Sequence, residues 1–438
     1  MTKMLKFGSL LFLIIFCCIV SLSIFFIGAS SSINNSNETN LAKSSATVEL
    51  KASTGELLWN YSCGEPVRST AISSSGGLVA ASTPSADNRI YLFDKARSTS
   101  KMPLWNYTTG NSVYAADVSG DGSYIAAVND GQHIFLFNNS ITTPKLPIWD
   151  YYPTGSFMND VAISLDGNYI VAATYNGDII LLNNSYATPK TEMWSYSTGI
   201  IIFSVAISAD GSSIAVAGHD TNLYLFSKDS STPLWIYAAG SVVQTVAVSS
   251  DGNYIVAGTS DAKVYLFHKS SSTPLWNYTA GGNIFSVAIS SKGDYIAAGG
   301  LDNKVYLFGK LSPTPLWNYT TDGQIGDDNF PRCIAISNNG NYIVAGSHDY
   351  NFYVFGKSSS TPSWNYTTGG EIQTVAMSDD GAYISVGSYD EQIYLFYQEI
   401  PLIPKPSISF GNLFILISVG SLISVIIIKK KRFFIALN

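Results

Sequence analysis

The sequence predicts an all-β fold, an eight-bladed β-propeller of four-stranded antiparallel blades. Two observations predict it. All eight tryptophans fall at the same point of one repeated pattern: Trp59, Trp105, Trp149, Trp194, Trp235, Trp276, Trp317 and Trp364, spaced 46, 44, 45, 41, 41, 41 and 47 residues apart. A period of about 40–45 residues is that of a propeller blade. Within each period, short β-branched or aromatic runs recur, each bounded by Gly, Asp, Ser or Pro.

Residues 246–278 show the repeat most clearly. V-A-V-S is followed by an S-D-G turn, then Y-I-V-A-G, an Asp-containing turn, V-Y-L-F, a Ser/Thr/Pro loop and L-W-N-Y. The first turn recurs as Asp-Gly at Asp121, Asp166, Asp210, Asp251 and Asp380, and as Ser75-Gly76, Lys292-Gly293 and Asn339-Gly340 elsewhere. Gly survives in every copy, because it accepts the positive φ of a tight hairpin.

First strands begin near Thr70, Ala116, Val161, Val205, Val246, Val287, Ile334 and Val375, which gives eight. The last copy lacks a fourth strand, and residues 57–61 supply an orphan fourth strand at the other end. Pairing the two closes the ring and removes the exposed edges. Residues 47–50 resemble an extra third strand that competes for this place.

The two ends differ from the repeats. Residues 1–30 carry Lys3 and Lys6 ahead of a long uncharged run and small residues, the pattern of a secretory signal or a signal anchor. Residues 31–46 are a Ser/Asn-rich stalk, and residues 47–398 hold the propeller. Residues 399–409 form a Pro-rich linker. Residues 410–428 are uncharged and long enough for a transmembrane helix, with a basic tail at 429–438. Basic flanks stay in the cytoplasm, so both ends place the propeller outside it.

A net charge of −7 and only 13% charged residues argue against nucleic acid as a partner. Nine N-x-S/T sequons, at Asn34, Asn37, Asn60, Asn106, Asn138, Asn183, Asn277, Asn318 and Asn365, suit a glycosylated surface protein. Five are copies of W-N-Y-T/S on the fourth strand. Cys63 follows an outer strand and Cys333 precedes an inner one, as a disulfide or as two small buried residues.

The strand pattern V-A-I-S-x-D-G, Y-I-A-A-G-x-x-D, V-Y-L-F resembles the WD-repeat propellers, although its third strand ends in Phe and no Gly-His precedes the first strand. Residues 50–59, L-K-A-S-T-G-E-L-L-W, are similar to the tryptophan-docking motif of quinoprotein (PQQ-type) propellers, through Thr54, Gly55 and Trp59. That resemblance implies eight blades and tryptophans packed between them. The same superfamily includes dehydrogenases and non-catalytic surface and outer-membrane assembly propellers. The C-terminal span with its basic cluster resembles the membrane anchors of archaeal surface proteins.

A quinoprotein dehydrogenase implies Ca²⁺ ligands, a catalytic Asp and a vicinal disulfide. No Cys-Cys lies in the repeats, and no carboxylate stands out from them. No catalytic or phosphate-binding motif appears. His219 and His348 share one repeat position and form either a metal pair or two solvent-exposed turn residues. Asp87, Asp130, Asp178, Asp220, Asp261, Asp302, Asp349 and Asp390 share the turn after the second strand, either as a ring of negative potential or as local turn formers. The link at residues 321–332 is unusually long and carries Asp322, Asp327 and Asp328, the expected partner-binding residues. The expected function is a non-catalytic scaffold that binds a surface protein or glycan, anchored by a single membrane pass, with no cofactor and no metal.

Overall fold

The computed structural model describes residues 54–400 apart from Ser85, Thr143, Thr154, 186–189 and 328–331, together with two strands near the C-terminus. Eight four-stranded antiparallel sheets follow one another as blades. Their inner strands are Ser69–Ile72, Val113–Val118, Met158–Ile163, Ile202–Ile207, Val243–Val248, Ile284–Ile289, Ile334–Ile336 and Ile372–Met377, for blades one to eight. Glu56–Ser62 is the outer strand of blade eight and pairs with Gln392–Tyr397, Trp59 opposite Leu395. The N-terminal end of the repeats thus completes the last blade, as the count of strands requires. The competing stretch at residues 47–50 lies outside the described residues.

Closure is also drawn in hydrogen bonds. The main-chain N–H of Asp379 in blade eight donates to Ser74 O in blade one (2.9 Å), and Ser74 N–H donates to Gly120 O in blade two (2.9 Å). Equivalent bonds continue through Leu165, Ala209, Ser250, Ser291 and Asn338, one blade to the next, back to Asp379. No blade is left with an unpaired neighbour on this face.

The repeated side chains hold adjacent blades together. The Trp235 indole N–H donates to Lys269 O of the next blade (2.9 Å). Trp194, Trp276 and Trp317 make the same bond to Lys228, Lys310 and Lys357. Each of these rings also packs on the next blade's third-strand Phe, Trp276 on Phe308 at 5.4 Å for example. The receiving lysine faces the other way as well: Lys310 Nζ lies 4.8 Å above the Tyr254 ring of blade five. The same tyrosine explains a glycine. At Gly293, φ is +70° and a Cβ would lie 2.5 Å from the Tyr254 ring, so any side chain would be strained and would collide with blade five.

Gly55 is a second such contact. A Cβ there would lie 2.4 Å from the Trp364 ring of blade seven. The Thr-Gly-x-x-x-Trp motif therefore leaves room for the preceding blade's tryptophan, as its resemblance to quinoprotein propellers implies.

Cys63 and Cys333 are buried thiols in different hydrophobic clusters, and no disulfide joins them. Within the stretch expected as a membrane helix, Ile415–Val419 and Leu422–Ile426 pair as antiparallel strands. Short β-branched apolar runs suit either state, and periodicity alone does not separate them. Among the described residues no helix is long and apolar enough to cross a membrane.

Candidate functional site: the mouth of the central channel

Six inner strands carry a one-residue bulge near their start, for example between Met158 and Asp160 and between Ile202 and Ser204. A bulge leaves one residue unpaired and re-aims its side chain. The residues at this register are Arg68, Tyr114, Asn159, Phe203, Gln244, Phe285, Arg332 and Gln373. Around them the repeat is nearly uniform, yet this position differs from blade to blade. Six of the eight line a cavity of about 350 Å³ on the link face of the ring: Arg68, Tyr114, Asn159, Phe203, Arg332 and Gln373.

The next register position is Ser, Thr, Ala or Cys in seven blades and Asp160 in blade three. Ser69, Ser204, Ser286 and Thr374 each accept a main-chain N–H of the following blade, Ser286 from Ile334 at 3.0 Å. Asp160 does the same work with one oxygen, accepting Val205 N–H at 2.9 Å. Its other oxygen meets Arg332 Nη2 at 2.6 Å. Arg332 comes from blade seven, opposite blade three, and also donates to Val161 O (2.9 Å). The side chain thus crosses the channel. It lines both the upper cavity and a lower one of about 330 Å³ walled by inner-strand Ala, Val and Ile residues.

The electrostatics follow from this enclosure. Burial pushes the Asp160 carboxyl up, while the Arg332 guanidinium and the two amides pull it down. Asp117 on the neighbouring blade is also pushed up by burial, against Arg332 and the amide of Ile163. Burial disfavours the Arg332 charge, but Asp160 and Asp117 outweigh it and hold the guanidinium charged. Two carboxylates and one guanidinium are therefore locked in the channel wall. The sequence expectation that no carboxylate stands out from the repeats is corrected here. Asp117 and Asp160 are the acids on the inner strands of the described blades. Their signal was an acid where other copies have Ala, Ser, Thr or Cys.

The long link is placed differently from a free loop. Ile325 is fully buried and fills the slot that Ile284 and Ile372 fill in their blades. A Cβ at Gly299 would lie 2.7 Å from Ile325, as one at Gly258 or Gly346 would lie 2.4 or 2.3 Å from Ile284 or Ile372. Ile325 and Arg332 therefore bracket the extra residues of the link, of which Gly326 and Asp327 are described. Asp322 is exposed at the far end, with its N–H on Asp349 Oδ2 (3.0 Å). Asp327 is half-buried, 4.0 Å from His348 Nε2, and Glu371 is 3.9 Å from His348 Nδ1. Asp328 lies outside the described residues. Of the two described acids, Asp322 faces the Asp349 turn and Asp327 faces His348.

The other expected residues have structural surroundings. His219 contacts Phe203 in blade four and is exposed, whereas His348 in blade seven is half-buried between acids, so the two do not form a pair. Among the described residues no group of three or more His, Cys, Asp or Glu is placed to hold a metal. The second-turn acids bond their own blade: Tyr306 donates to Asp302 (2.5 Å), Tyr353 to Asp349 (2.8 Å) and Tyr394 to Asp390 (2.6 Å). Asp302 and Asp390 also accept the link N–H groups of Gly281 and Gly369. They are turn and blade fasteners rather than a ring of free charge.

Asn60, Asn106, Asn277, Asn318 and Asn365 are exposed on outer strands. Asn138 and Asn183 instead hold the ammonium groups of Lys145 and Lys190 with their side-chain oxygens (both 2.8 Å). Asn34 and Asn37 lie outside the described residues.

A quinone–calcium pair of the dehydrogenase type does not fit this mouth. Both channel carboxylates are committed to amides and Arg332, and Arg332 occupies the axis.

The fold and its docking contacts define an eight-bladed, tryptophan-docked propeller. The chain belongs to the PQQ-like repeat family described as outer membrane protein assembly factor BamB, which matches residues 147–384, more than half of its length. No curated protein matches it significantly. Among solved structures, the computationally designed Ika8 protein is similar at a TM-score of 0.65 and 14% identity, over 78% of this chain and 99% of that one. At that identity the likeness speaks for the fold.

Proposed function

We propose that the protein is a non-catalytic binding module that presents the link face of its propeller, outside the cytoplasm, to another surface protein. One observation carries this reading. The repeated tryptophans and lysines are spent on joining blades and the repeated acids on their own turns, while the position that varies from blade to blade lines the channel mouth. Variation confined to one mouth of a uniform scaffold is how repeat folds encode recognition. Attachment to a membrane through residues 410–428, with the basic tail inside, supports the same side for the propeller. The five exposed W-N-Y-T/S sequons suit such a surface.

The test combines topology and contact. Protease added to intact cells should remove the propeller, and a photo-crosslinker at Tyr175 or Asp322 should capture the same protein from intact cells. Digestion only after lysis would refute the topology. Crosslinks distributed equally over the opposite face would refute the binding face. Dye reduction by purified protein with PQQ, Ca²⁺ and an alcohol or sugar would refute the non-catalytic reading.

A second reading, envelope assembly, rests on the family's description as an assembly factor for outer membrane proteins. It predicts that the captured partner is a newly made surface protein, so capture should fall when protein synthesis is halted.

A further inference from the structure

The two faces of the ring expose different kinds of side chain. On the link face the exposed large residues are mostly aromatic, such as Tyr175, Tyr350 and Tyr389. On the opposite face, where third strands turn into fourth strands, they are aliphatic. Met102, Ile141, Leu146 and Leu311 stand in these loops and are 71%, 69%, 66% and 93% exposed. The leucines just before Trp235, Trp276 and Trp317 (Leu234, Leu275 and Leu316) are each more than half exposed. The fold does not ask for the loop residues. Leu311 sits in a tight turn closed by Ser312 N–H on Gly309 O (3.4 Å), and the same turn in blades five and seven carries Ser270 and Ser358 instead. Aliphatic side chains gathered in water on one face mark a contact surface.

The chain also enters and leaves the propeller on this face. Just past their third strands, the main-chain N–H groups of Lys269, Lys310 and Lys357 donate to Asn253, Asp294 and Asn341 O beside the first turns (2.8, 3.0 and 2.9 Å). The loops and the first turns therefore share one face, the turn face. In blade eight Gln398 N–H makes the same bond to Ala382 O (2.8 Å). Glu56 lies opposite Tyr397, so the strand that closes the ring starts on the face where the last third strand ends. Residues 399–409 then lead to the uncharged stretch at 410–428. Fully extended, that linker reaches at most about 40 Å. Asp210, Asp251 and Asp380 of the first turns share the turn face with the lysines, so both signs of charge are present. What the face offers is aliphatic surface rather than a positive field.

We propose that the turn face lies against the lipid bilayer that residues 410–428 enter, with Met102, Ile141, Leu146 and Leu311 dipping into the boundary between headgroups and acyl chains. Apolar side chains gain by leaving water at that boundary, and the short linker keeps them within reach of it. The link face, with the channel mouth, then points away from the membrane and towards partners. The inference rests on the membrane attachment in the proposed function and names the face that the attachment holds to the lipid.

The test uses the full-length chain with Cys17→Ser and Cys18→Ser, reconstituted in phosphatidylcholine vesicles; Cys63 and Cys333 are buried and stay unlabelled. An environment-sensitive fluorophore is attached at Leu146→Cys or Leu311→Cys, and at Tyr389→Cys as the link-face control. All three positions are exposed, and surface substitutions change stability little. Lipids with a nitroxide near the top of the acyl chain should quench the first two labels severalfold more than the third, and soluble iodide should quench them less. Adding Met102→Glu and Ile141→Glu should weaken lipid quenching of both turn-face labels. Equal lipid quenching on the two faces, or none on the turn face of a chain that stays with the vesicles, overturns the inference and leaves the attachment standing. A turn face shielded from both quenchers, in a chain that crosslinks as a dimer, belongs to a second copy and also overturns it. A chain that alkaline carbonate washes off the vesicles removes the attachment reading, and the inference with it.

Discussion

Arg332 of blade seven reaches across the central channel and meets Asp160 of blade three at 2.6 Å. The two residues are far apart in sequence and lie on opposite blades. The Asp160 side chain is 5% exposed and that of Arg332 30%, so the pair is enclosed while one edge of the guanidinium still faces the cavity. Removing one partner leaves the other charge buried and uncompensated. Arg332→Met should cost about 3–5 kcal/mol in chemical unfolding. Adding Asp160→Asn should recover part of that loss, because the orphaned carboxylate is gone. A single-variant cost below about 1 kcal/mol would mean the pair is not formed in solution.

The tryptophans differ in depth, and their substitutions should differ accordingly. Trp59 is 2% exposed, packs 5.0 Å from Phe93 and donates to Asp94 O at 3.1 Å. Trp59→Ala should cost about 3–5 kcal/mol through lost burial and a cavity. Trp235 makes the same kind of bond but is only partly buried, so Trp235→Ala should cost less, about 2 kcal/mol. Equal losses would show that the indole–carbonyl bond, common to both, outweighs burial. Thermal unfolding monitored by circular dichroism separates these outcomes.

Ring closure depends on a strand from the opposite end of the repeats. Deleting residues 1–62 should expose the free edge of Gln392–Tyr397 and drive aggregation. A gentler test is Gly55→Val, whose side chain would enter the Trp364 ring, where a Cβ alone lies 2.4 Å away. The variant should unfold at lower temperature than the parent and should aggregate on mild heating. A truncated chain that stays monomeric and melts normally would contradict closure by this strand.

Alkali should weaken the fold before acid chemistry is involved. Burial, with Asp87 adding to it, pushes the Cys63 thiol up to about 12 from an ordinary 9.0. Burial, with Tyr237 adding to it, pushes the Tyr265 hydroxyl up to about 12 from 10.0. Burial moves Tyr306 and Tyr394 the same way, and their bonds to Asp302 and Asp390 add to it. These groups are neutral when protonated, and the folded state holds their protons more tightly than the unfolded state. Their contribution is complete below about pH 9 and is lost as pH rises towards about 12. The denaturant midpoint should therefore fall steadily over that range, and less steeply in Cys63→Ala. A midpoint unchanged between about pH 9 and 12 would refute this account.

Much of this was legible along the chain. The tryptophan period gave the blade count, because a blade is a local unit whose four strands are consecutive. The missing fourth strand at one end and the orphan at the other gave the closure. Gly55 and Trp59 marked the docking contact. The second-turn acids are legible as turn formers, whereas the tyrosine that bonds five of them (Asp87, Asp220, Asp302, Asp349 and Asp390), four residues further on in the third strand, is not.

The site was less legible, for a physical reason. Arg332, Asp160 and Asp117 look unremarkable in their own repeats, and their meaning comes from a charge placed opposite them by the ring. The length of the 321–332 link draws attention to its acids, Asp322, Asp327 and Asp328, whereas the structure turns Ile325 into the core and sends Arg332 into the channel. By itself the sequence determined the repeat, the number of blades and the residues that fasten each blade to the next, since those depend on short-range spacing. Only the tertiary structure decided which residues face the axis, because one bulge at the start of an inner strand re-aims a side chain, and only a closed ring brings blade three opposite blade seven.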